Sequence, residues 1–380
     1  MEYLNIHIVC LFLGALILGL FITPKIIAVM KFKQISDIPN ERSSHDLETP
    51  NLGGISFYIV FILALFLMRA FDASKVMMTS LPVLTILFVV GLKDDLVVLS
   101  PFSKLGAQIV AAAFLLFQYR YSIESLNGFM GIESINKYVA GGLVLLIIVA
   151  VINALNLIDG IDGLAATISI IMFTLFGIIF YIVEEYFMLL VSAAMTGVLF
   201  AFLRFNLSKK KKIFMGDTGS MILGFLIGAM TIRLLALDNT QLNALPIQLE
   251  NLPFVIGAIL IIPLYDTARV FIIRIMKKQS PFAPDRNHIH HVIIDTFRIS
   301  HRRASFFIGL TNFLFVSLFS IMAMLTDQWM ILTILLICLI ITSLFFFIIS
   351  NPHTKRKLRA RKLSRKFRVK SNEKSVAPES

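Results

Sequence analysis

Repeated apolar stretches of about 17–25 residues constrain this chain more than any other feature, because each can cross a hydrocarbon core roughly 30 Å thick. Only 15% of the 380 residues are charged, against about 25% in a typical soluble domain. A transmembrane barrel would instead show short alternating strands. Length and hydropathy predict an all-α, polytopic integral membrane protein with about eleven transmembrane helices, at 5–24, 53–71, 76–92, 105–120, 138–154, 164–183, 186–203, 217–236, 253–275, 305–325 and 329–350.

Lysine and arginine are concentrated in one of the two alternating sets of loops. That set contains Lys25, Lys31, Lys33, Arg42, Lys93, Lys104, Lys209 to Lys212, Lys277, Lys278, Arg286, Arg302 and Arg303. The other set holds little beyond Lys75, Arg120 and Lys137. Because basic loops stay in the cytoplasm, the sequence predicts that the N-terminus lies outside and the C-terminus inside, which agrees with an odd number of spans.

The C-terminal segment differs in composition from everything before it. Residues 351–380 carry eleven Lys and Arg against two Glu. We therefore divide the chain into a transmembrane domain, 1–350, and a basic cytoplasmic tail, 351–380, whose end we expect to be disordered. Attraction to anionic lipid headgroups, about 1 kcal/mol per basic residue, explains the tail better than nucleic-acid binding, since regular aromatic interleaving is missing.

Five polar clusters fall on the predicted cytoplasmic side, and nothing comparable falls on the other. They are "ERSSHDLETPNLGG" (41–54), "GLKDDLVVLSPFSK" (91–104), "NALNLIDGIDGLAA" (153–166), "FNLSKKKKIFMGDTGS" (205–220) and "SPFAPDRNHIHHV" (280–292). A carboxylate left in lipid is costly, so acids near a membrane usually face a cavity, a metal ion or a partner. Several acids converging at one face therefore indicate a functional site.

The third cluster places amide and acid groups at every third position: Asn153, Asn156, Asp159 and Asp162. On a helix this spacing drifts by about 60° per step, so neighbouring members face together while the two ends do not. Gly160 and Gly163 allow the backbone to bend, and the stripe can then line a curved polar pocket. An ordinary turn with N-cap Asp residues is the alternative. An EF-hand is excluded because no Glu closes the loop.

The acids of "KDD" end the third predicted span. Adjacent helical residues point about 100° apart, so Asp94 and Asp95 cannot both ligate one ion on a regular helix. We expect one of them to face a reaction centre and the other to pair with Lys93 or Lys104. A solvated helix end with ordinary charges is the alternative.

The motif "FMGDTGS" places Asp217 where the eighth predicted span begins. The small residues around it, Gly216, Thr218, Gly219 and Ser220, would leave first-turn N–H groups free to receive phosphate oxygens. An N-cap Asp that simply starts a transmembrane helix explains the motif equally well.

The fifth cluster sets His288, His290 and His291 beside Arg286. No Cys accompanies them and their spacing does not match common zinc sites, so phosphate or nucleotide binding fits better than zinc. A solvated loop is the alternative. Taken together, Asp and Asn oxygens with basic and phosphate-binding groups suit Mg²⁺-assisted phosphoryl transfer at the bilayer edge.

The motifs "NALNLIDGIDGLA", "FMGDTGS" and "APDRNHIHH", in this order within residues 40–303, resemble those of a known family. The chain is similar to the polyprenyl-phosphate N-acetylhexosamine-1-phosphate transferases. It resembles most the branch that starts teichoic acid, O-antigen or enterobacterial common antigen with N-acetylglucosamine-1-phosphate. The phospho-N-acetylmuramoyl-pentapeptide transferases are more distant relatives.

The resemblance implies roles for particular residues of the 1–350 domain, which would then be catalytic. The implied catalytic residues are Asp94, Asp95, Lys104, Asp159 and Asp162. Those implied to bind substrate are Arg42, His45, Asn153, Arg286, His288, His290 and His291. The implied metal ligands are Asp217 and Asn156, for Mg²⁺ or in its place Mn²⁺.

The reaction implied by the resemblance moves N-acetylglucosamine-1-phosphate from UDP-N-acetylglucosamine to undecaprenyl phosphate and releases UMP. It would take place at the cytoplasmic face of the bacterial inner membrane, among membrane lipids and without nucleic acid, and a homodimer is compatible with it. Use of UDP-N-acetylmuramoyl-pentapeptide, or a transporter with an acid and histidine ion relay, are the alternatives. The sequence leaves open whether the acceptor attacks directly or an Asp first forms a covalent intermediate.

Overall fold

The computed structural model describes residues 2–35, 49–71, 76–280 and 287–350, and within these ranges the chain is helical and contains no strand. The tail 351–380 lies outside the described residues. In chain order the helices are α1 (Glu2–Phe32), α2 (Gly54–Met68), α3 (Val76–Leu96), α4 (Pro101–Leu116), α5 (Lys137–Ile158), α6 (Leu164–Ile182), α7 (Tyr186–Asn206), α8 (Gly216–Leu235), α9 (Asn239–Leu242), α10 (Leu252–Met276), α11 (Ile289–Phe297), α12 (His301–Leu325) and α13 (Gln328–Ser350).

Each of the eleven predicted spans coincides with a helix of at least 15 residues, and the short α9 and α11 are additions. Eight of the helices in the described ranges are long and apolar enough to cross a membrane, namely α1, α5, α6, α7, α8, α10, α12 and α13. The prediction of an all-α, polytopic membrane protein is confirmed. The exact number of crossings and their orientation stay predictions. The first helix extends to Phe32, beyond the predicted limit at 24, with Pro24 inside it.

Local sequence signals explain where several helices begin. Ser100 caps α4 by accepting a hydrogen bond from the Ser103 N–H, and Pro101 takes the first helical position. Asn136 caps α5 in the same way through the Tyr138 N–H. These caps satisfy backbone donors that a helix start leaves without intrahelical partners.

Helix α8 is the central element of the bundle. It is buried from Thr218 to Leu234 and packs against α2, α3 and α5. Its apolar residues cover all sides, as expected for a helix without a solvent face. Gly224 and Gly228 bring it close to α5, because an added Cβ would lie 2.5 Å from Ile152 Cα and 2.8 Å from Ile148 Cδ1. Residues that contact the start of α8 are therefore held by a helix that is buried along nearly its whole length.

The outer helices surround this centre, with α1 and α6 against α7 and α10 against α12. Helix α13 buries only Gln328, Ile331, Phe346 and Ile349 and leaves most of its apolar side chains exposed. An apolar face of this kind suits contact with lipid.

A buried ion pair joins helices at the end of the bundle where α8 finishes. The Arg233 guanidinium donates to Glu185 at 2.6 Å, and Arg120 lies 3.5 Å from the other oxygen of that carboxylate. Arg233 also donates to the Arg120 carbonyl at 3.2 Å. This network ties α8 to the start of α7 and to the 3₁₀ turn Tyr119–Tyr121.

The close crossing of α3 and α8 can be tested at Gly91. A Cβ there would lie 2.6 Å from Thr218 Cα, so we expect Gly91→Ala to lower the free energy of unfolding by about 1–3 kcal/mol through overpacking. Gly106 is the matched control, because a Cβ there would meet nothing within 4 Å and Gly106→Ala should keep or slightly raise stability. Thermal unfolding in detergent measures both, and equal midpoints would contradict the close crossing.

Candidate active site

Segments of all five predicted polar clusters meet at the end of the bundle where α8 begins. The Phe214 N–H donates to the Pro50 carbonyl at 2.7 Å, and Gly53 N–H donates back to Phe214 at 2.9 Å. The ends of α3 and α5, the turn 159–163 and the start of α11 reach the same region through the contacts described below. Three predicted site residues, Arg42, His45 and Arg286, lie outside the described residues.

The carboxylate of Asp95 caps the first turn of α8. One oxygen accepts the Asp217 N–H at 2.7 Å, and the other accepts the Thr218 N–H at 3.0 Å and the Thr218 hydroxyl at 2.6 Å. A negative charge at a helix N-terminus is favourable. The expectation that the Thr218 N–H is free for phosphate is therefore wrong, because a side chain of the protein already occupies it. The geometry gives Asp95 a positioning part, and its catalytic role stays a prediction.

Gly216 makes this cap sterically feasible. Its φ is +75°, a region that favours glycine. An added Cβ would lie 2.0 Å from the Asn51 carbonyl oxygen and 2.7 Å from both carboxylate oxygens of Asp95. The glycine of the "MGD" motif is thus needed so that Asp95 and the 50–54 segment can approach the start of α8.

Asp94, Lys104 and Asp217 form a compact charged group beside the cap. Asp94 is 6% exposed and pairs with the Lys104 ammonium, which also lies 3.2 Å from Asp217 Oδ1. The Leu99 N–H donates to the other oxygen of Asp94 at 2.6 Å. The paired acids do point to different partners: Asp94 pairs with Lys104 beside Asp217, while Asp95 accepts from the backbone. That the acid without the lysine faces a reaction centre stays a prediction.

Asn156 completes this group from α5. Its amide nitrogen donates to Asp217 Oδ1 at 2.5 Å and to the Ser220 hydroxyl at 3.0 Å. The two residues implied as metal ligands are therefore in direct contact. Their donors are the carboxylate and amide oxygens that Mg²⁺ prefers, and the position of the Lys104 ammonium shows that the carboxylates stabilise a positive charge here. This donor chemistry fits a hard divalent cation, and binding of a metal ion here stays a prediction.

Asn153 does not join this group. Its amide donates to Gln108 of α4 at 2.6 Å and to the Val149 carbonyl at 2.8 Å. The described contacts therefore use Asn153 to join α5 to α4. Its predicted part in substrate binding gains no support from these bonds.

The turn 159–163, called the acidic turn below, carries two carboxylates whose pKa values are shifted in opposite directions. Burial, with the charges of Asp217, Asp95 and Asp162, raises the pKa of Asp159 to about 7. Burial also acts on Asp162, but hydrogen bonds with His301 and Lys212 outweigh it and lower the pKa of that carboxyl. Lys212 Nζ lies 2.8 Å and His301 Nδ1 3.5 Å from Asp162 Oδ2.

Asp162 and Asn206 fix the turn between the surrounding loops. The Asp162 carbonyl accepts from the Ser305 hydroxyl at 2.8 Å. Asn206 accepts the Gly163 N–H at 2.6 Å and donates to the Ile213 carbonyl at 2.8 Å. The sequence analysis missed Asn206, whose only signal was a buried amide at the end of an apolar span.

Residues 287–291, called the histidine segment below, pack against the acidic turn. A Cβ added to Gly160 would lie 2.2 Å from His290 Nε2, so the ring packs directly on the glycine. His290 is 1% exposed, and neither ring nitrogen has a hydrogen-bond partner among the described residues. Burial, with His291 nearby, lowers its pKa well below the ordinary value, which keeps the ring neutral. His288 is also buried, and its ring lies 5.7 Å from that of His290.

The structure is an all-helical membrane bundle with acids, a lysine and histidines gathered at one end. It therefore falls in the class of helical membrane proteins that carry a polar site at the end of the bundle. The family model for glycosyl transferase family 4 matches residues 76–235. This match covers α3 to α8, including the capped helix start and the acidic turn.

Three relatives extend the similarity beyond that region. "Probable undecaprenyl-phosphate N-acetylglucosaminyl 1-phosphate transferase" of Bacillus subtilis is 31% identical over 88% of this chain and 90% of its own. "Undecaprenyl-phosphate alpha-N-acetylglucosaminyl 1-phosphate transferase" of Haemophilus influenzae is 32% identical over 74% and 77%. "Decaprenyl-phosphate N-acetylglucosaminephosphotransferase" of Mycolicibacterium smegmatis is 27% identical over 70% of each chain. The chain belongs to glycosyl transferase family 4.

The different environments of Asp159 and Asp162 predict opposite pH dependences. Because burial raises the folded-state pKa of Asp159 from its ordinary value of 3.8 to about 7, the unfolded chain ionises first, and the fold loses stability as the pH rises from 3.8 to about 7. Asp159→Asn should therefore be more stable to heat than wild type at pH 8, and that advantage should shrink as the pH falls below 7 and vanish near pH 3.8. Asp162 has a lowered pKa, so Asp162→Asn should be less stable than wild type at pH 8. Unfolding midpoints in EDTA would test both, and parallel curves would contradict the assignment.

Proposed function

We propose that this protein transfers N-acetylglucosamine-1-phosphate from UDP-N-acetylglucosamine to undecaprenyl phosphate at the cytoplasmic face of the bacterial inner membrane. The observation that carries the proposal is the meeting of Asp94, Asn156 and Asp217 around Lys104 at one end of the bundle. The names of the relatives support the donor and acceptor, and the basic loops support the cytoplasmic side.

The proposed reaction is a displacement at phosphorus. An oxygen of the lipid phosphate attacks the β-phosphorus of the UDP-sugar, and the bond from that phosphorus to the bridging oxygen breaks. The bridging oxygen leaves with UMP, and a lipid-linked pyrophosphoryl sugar remains. A phosphate monoester has a second pKa near 6, so the acceptor is largely ionised at neutral pH and needs no strong general base.

Direct attack by the acceptor phosphate fits the contacts of Asp94 better than a covalent intermediate on that residue. One oxygen of Asp94 accepts the Leu99 N–H and the other pairs with Lys104. A carboxylate held in this way is well placed to orient Lys104, whose ammonium can bind a phosphate oxygen. The neutral His290 can provide a hydrogen bond to a substrate without adding charge.

Mg²⁺ is the proposed cofactor, with Mn²⁺ as a substitute. Asp217 and Asn156 would hold it, and Asp95 would keep Asp217 in place through the first turn of α8. When bound, the ion would supply positive charge that stabilises the pyrophosphate in the transition state. The basic segment 351–380 is proposed to contact anionic lipid headgroups.

Donor choice is the direct test of the proposed function. Purified protein is incubated with undecaprenyl phosphate, Mg²⁺ and UDP-N-acetylglucosamine, UDP-glucose or UDP-N-acetylmuramoyl-pentapeptide, and UMP release is measured. We expect the first donor to be used and UDP-glucose to be poor, because a site that hydrogen-bonds an acetamido group penalises its absence. Preferential use of the pentapeptide donor would assign the protein to peptidoglycan synthesis, and no UMP release from any donor would overturn the proposal.

The metal assignment predicts a severe defect at Asp217. Asp217→Asn keeps the shape of the side chain but removes its charge, so UMP release should fall below about a tenth of the wild-type rate, a loss of roughly 1.4 kcal/mol or more. Excess EDTA should abolish release by wild type, and Mg²⁺ or Mn²⁺ should restore it. Glu185→Gln at the other end of the bundle is the control and should keep turnover. Full activity in EDTA would rule out the metal.

A further inference from the structure

Asp266 is a buried acid in a helix that the motifs did not single out. It lies in α10 and is only 2% exposed. A carboxylate so deep in an apolar helix requires partners. Its partners come from α11 and the residues just before it, so this acid connects a membrane helix to the histidine segment.

Both oxygens of Asp266 are used at the start of α11. Oδ2 lies 3.0 Å from His288 Nδ1, and Oδ1 accepts the Ile289 N–H at 2.9 Å. An ionised carboxylate can only accept, so Nδ1 of His288 is the donor. The contact therefore fixes the orientation of the ring, with Nδ1 as the donor to Asp266 and Nε2 turned away from it.

Arg269 extends the same attachment by one residue. Its guanidinium lies 3.2 Å from Asp266 Oδ1, donates to the Asn287 carbonyl and stacks over the ring of Phe346. Three consecutive residues, 287 to 289, are thus held by two side chains one turn apart on α10. The first three residues of the histidine segment are therefore held in place by α10, even though the segment lies outside the membrane helices.

The position of His290 depends on where α11 starts. His290 is one residue beyond Ile289, and its ring packs on Gly160 of the acidic turn without room for a Cβ. A shift of the start of α11 by even 1 Å would break this packing or drive the ring into the turn. The carboxylate of Asp266 is therefore connected, through its hydrogen bond with the Ile289 N–H and the peptide bond that follows, to the histidine that packs on the acidic turn.

We propose that Asp266 is a positioning residue for the reaction: it sets the ring orientation of His288 and the start of α11, and through them the placement of His290 against Gly160. The inference rests on the proposed function, because it assigns these histidines to the same site. Asp266 itself is not proposed to touch a substrate.

The test is a double-mutant cycle on UMP release. Asp266→Asn keeps the size of the side chain but loses the charge and one acceptor, and we expect kcat to fall about tenfold or more. In a His288→Ala background the same substitution should change kcat by less than about threefold, because the ring held by one oxygen is gone and the Asn oxygen can still accept the Ile289 N–H. Where turnover is too low, calorimetric titration with UDP-N-acetylglucosamine measures the same cycle. The proposal would be overturned if the effects of the two substitutions on kcat multiplied, or if Asp266→Asn kept the wild-type kcat.

Glu185→Gln is the matched control for loss of a buried carboxylate. Glu185 is 7% exposed and pairs with Arg233 at the opposite end of the bundle. We expect this variant to lower the unfolding midpoint without changing kcat, whereas Asp266→Asn should lower kcat at a temperature where its unfolding curve shows it folded. A parallel loss of kcat in both variants would indicate general destabilisation and would contradict a positioning role.

A second pair of variants covers the case in which Asp266→Asn does not fold. Ile289→Pro removes the N–H that Asp266 accepts, and the backbone permits it because His288 already has φ −58° and ψ 148°. Ile289→Ala keeps the N–H and loses a similar amount of side chain. We expect the proline variant to lose at least about threefold more kcat than the alanine variant, and equal loss would overturn the proposal. If wild type releases no UMP, the proposed function fails instead.

Discussion

The arrangement of this site depends on the carboxylate of Asp95 at the first turn of α8. A helix start leaves backbone donors without intrahelical partners, and α8 is enclosed by other helices from Thr218 onward, so water cannot satisfy them easily. Asp95 accepts two of these N–H groups and the Thr218 hydroxyl. The cap also places a negative charge at the positive end of the helix dipole. Because Asp217 supplies one of the capped N–H groups, the same contact that stabilises the helix sets the position of its carboxylate.

Acids of the same type then acquire different properties from their burial together with their partners. Asp95 is bound to the backbone, Asp94 to Lys104, and Asp162 to Lys212 and His301. Asp159 has no hydrogen-bond partner of its own among the described residues, and its pKa is raised to about 7. Carboxylates this close repel one another, so each paired cation or N–H group allows a further acid to be accommodated. The cluster combines acids that hold the structure with at least one, Asp159, whose ionisation is opposed by burial and by its neighbours.

Sequence reasoning located the membrane helices and the five clusters because both leave strong local signals: apolar runs of fixed length, and acids at their ends. Helical geometry also anticipated that Asp94 and Asp95 must point apart. It could not say which acid turns to which partner, since that depends on the approach of α3, α4 and α8 from distant parts of the chain. The expectation that the Thr218 N–H is free was wrong for this reason. Asp266 carried a usable signal, an acid inside an apolar span, whereas Asn206 and the Gln108 contact of Asn153 carried almost none.

The two halves of the site differ in how completely their polar groups are satisfied. Around the start of α8, Asp94, Asp95 and Asn156 each use both or most of their hydrogen-bonding capacity. Around the acidic turn, neither ring nitrogen of buried His290 has a hydrogen-bond partner among the described residues, and the half-buried carboxylate of Asp159 has none there either. Buried polar groups without partners cost free energy that a bound ligand can recover. The group at the start of α8 is thus preorganised in the free protein. In the proposed reaction, the groups at the acidic turn would gain the most hydrogen bonds from a bound substrate. Binding energy should therefore arise mainly between the acidic turn and the histidine segment, next to a charged group that the fold has already placed.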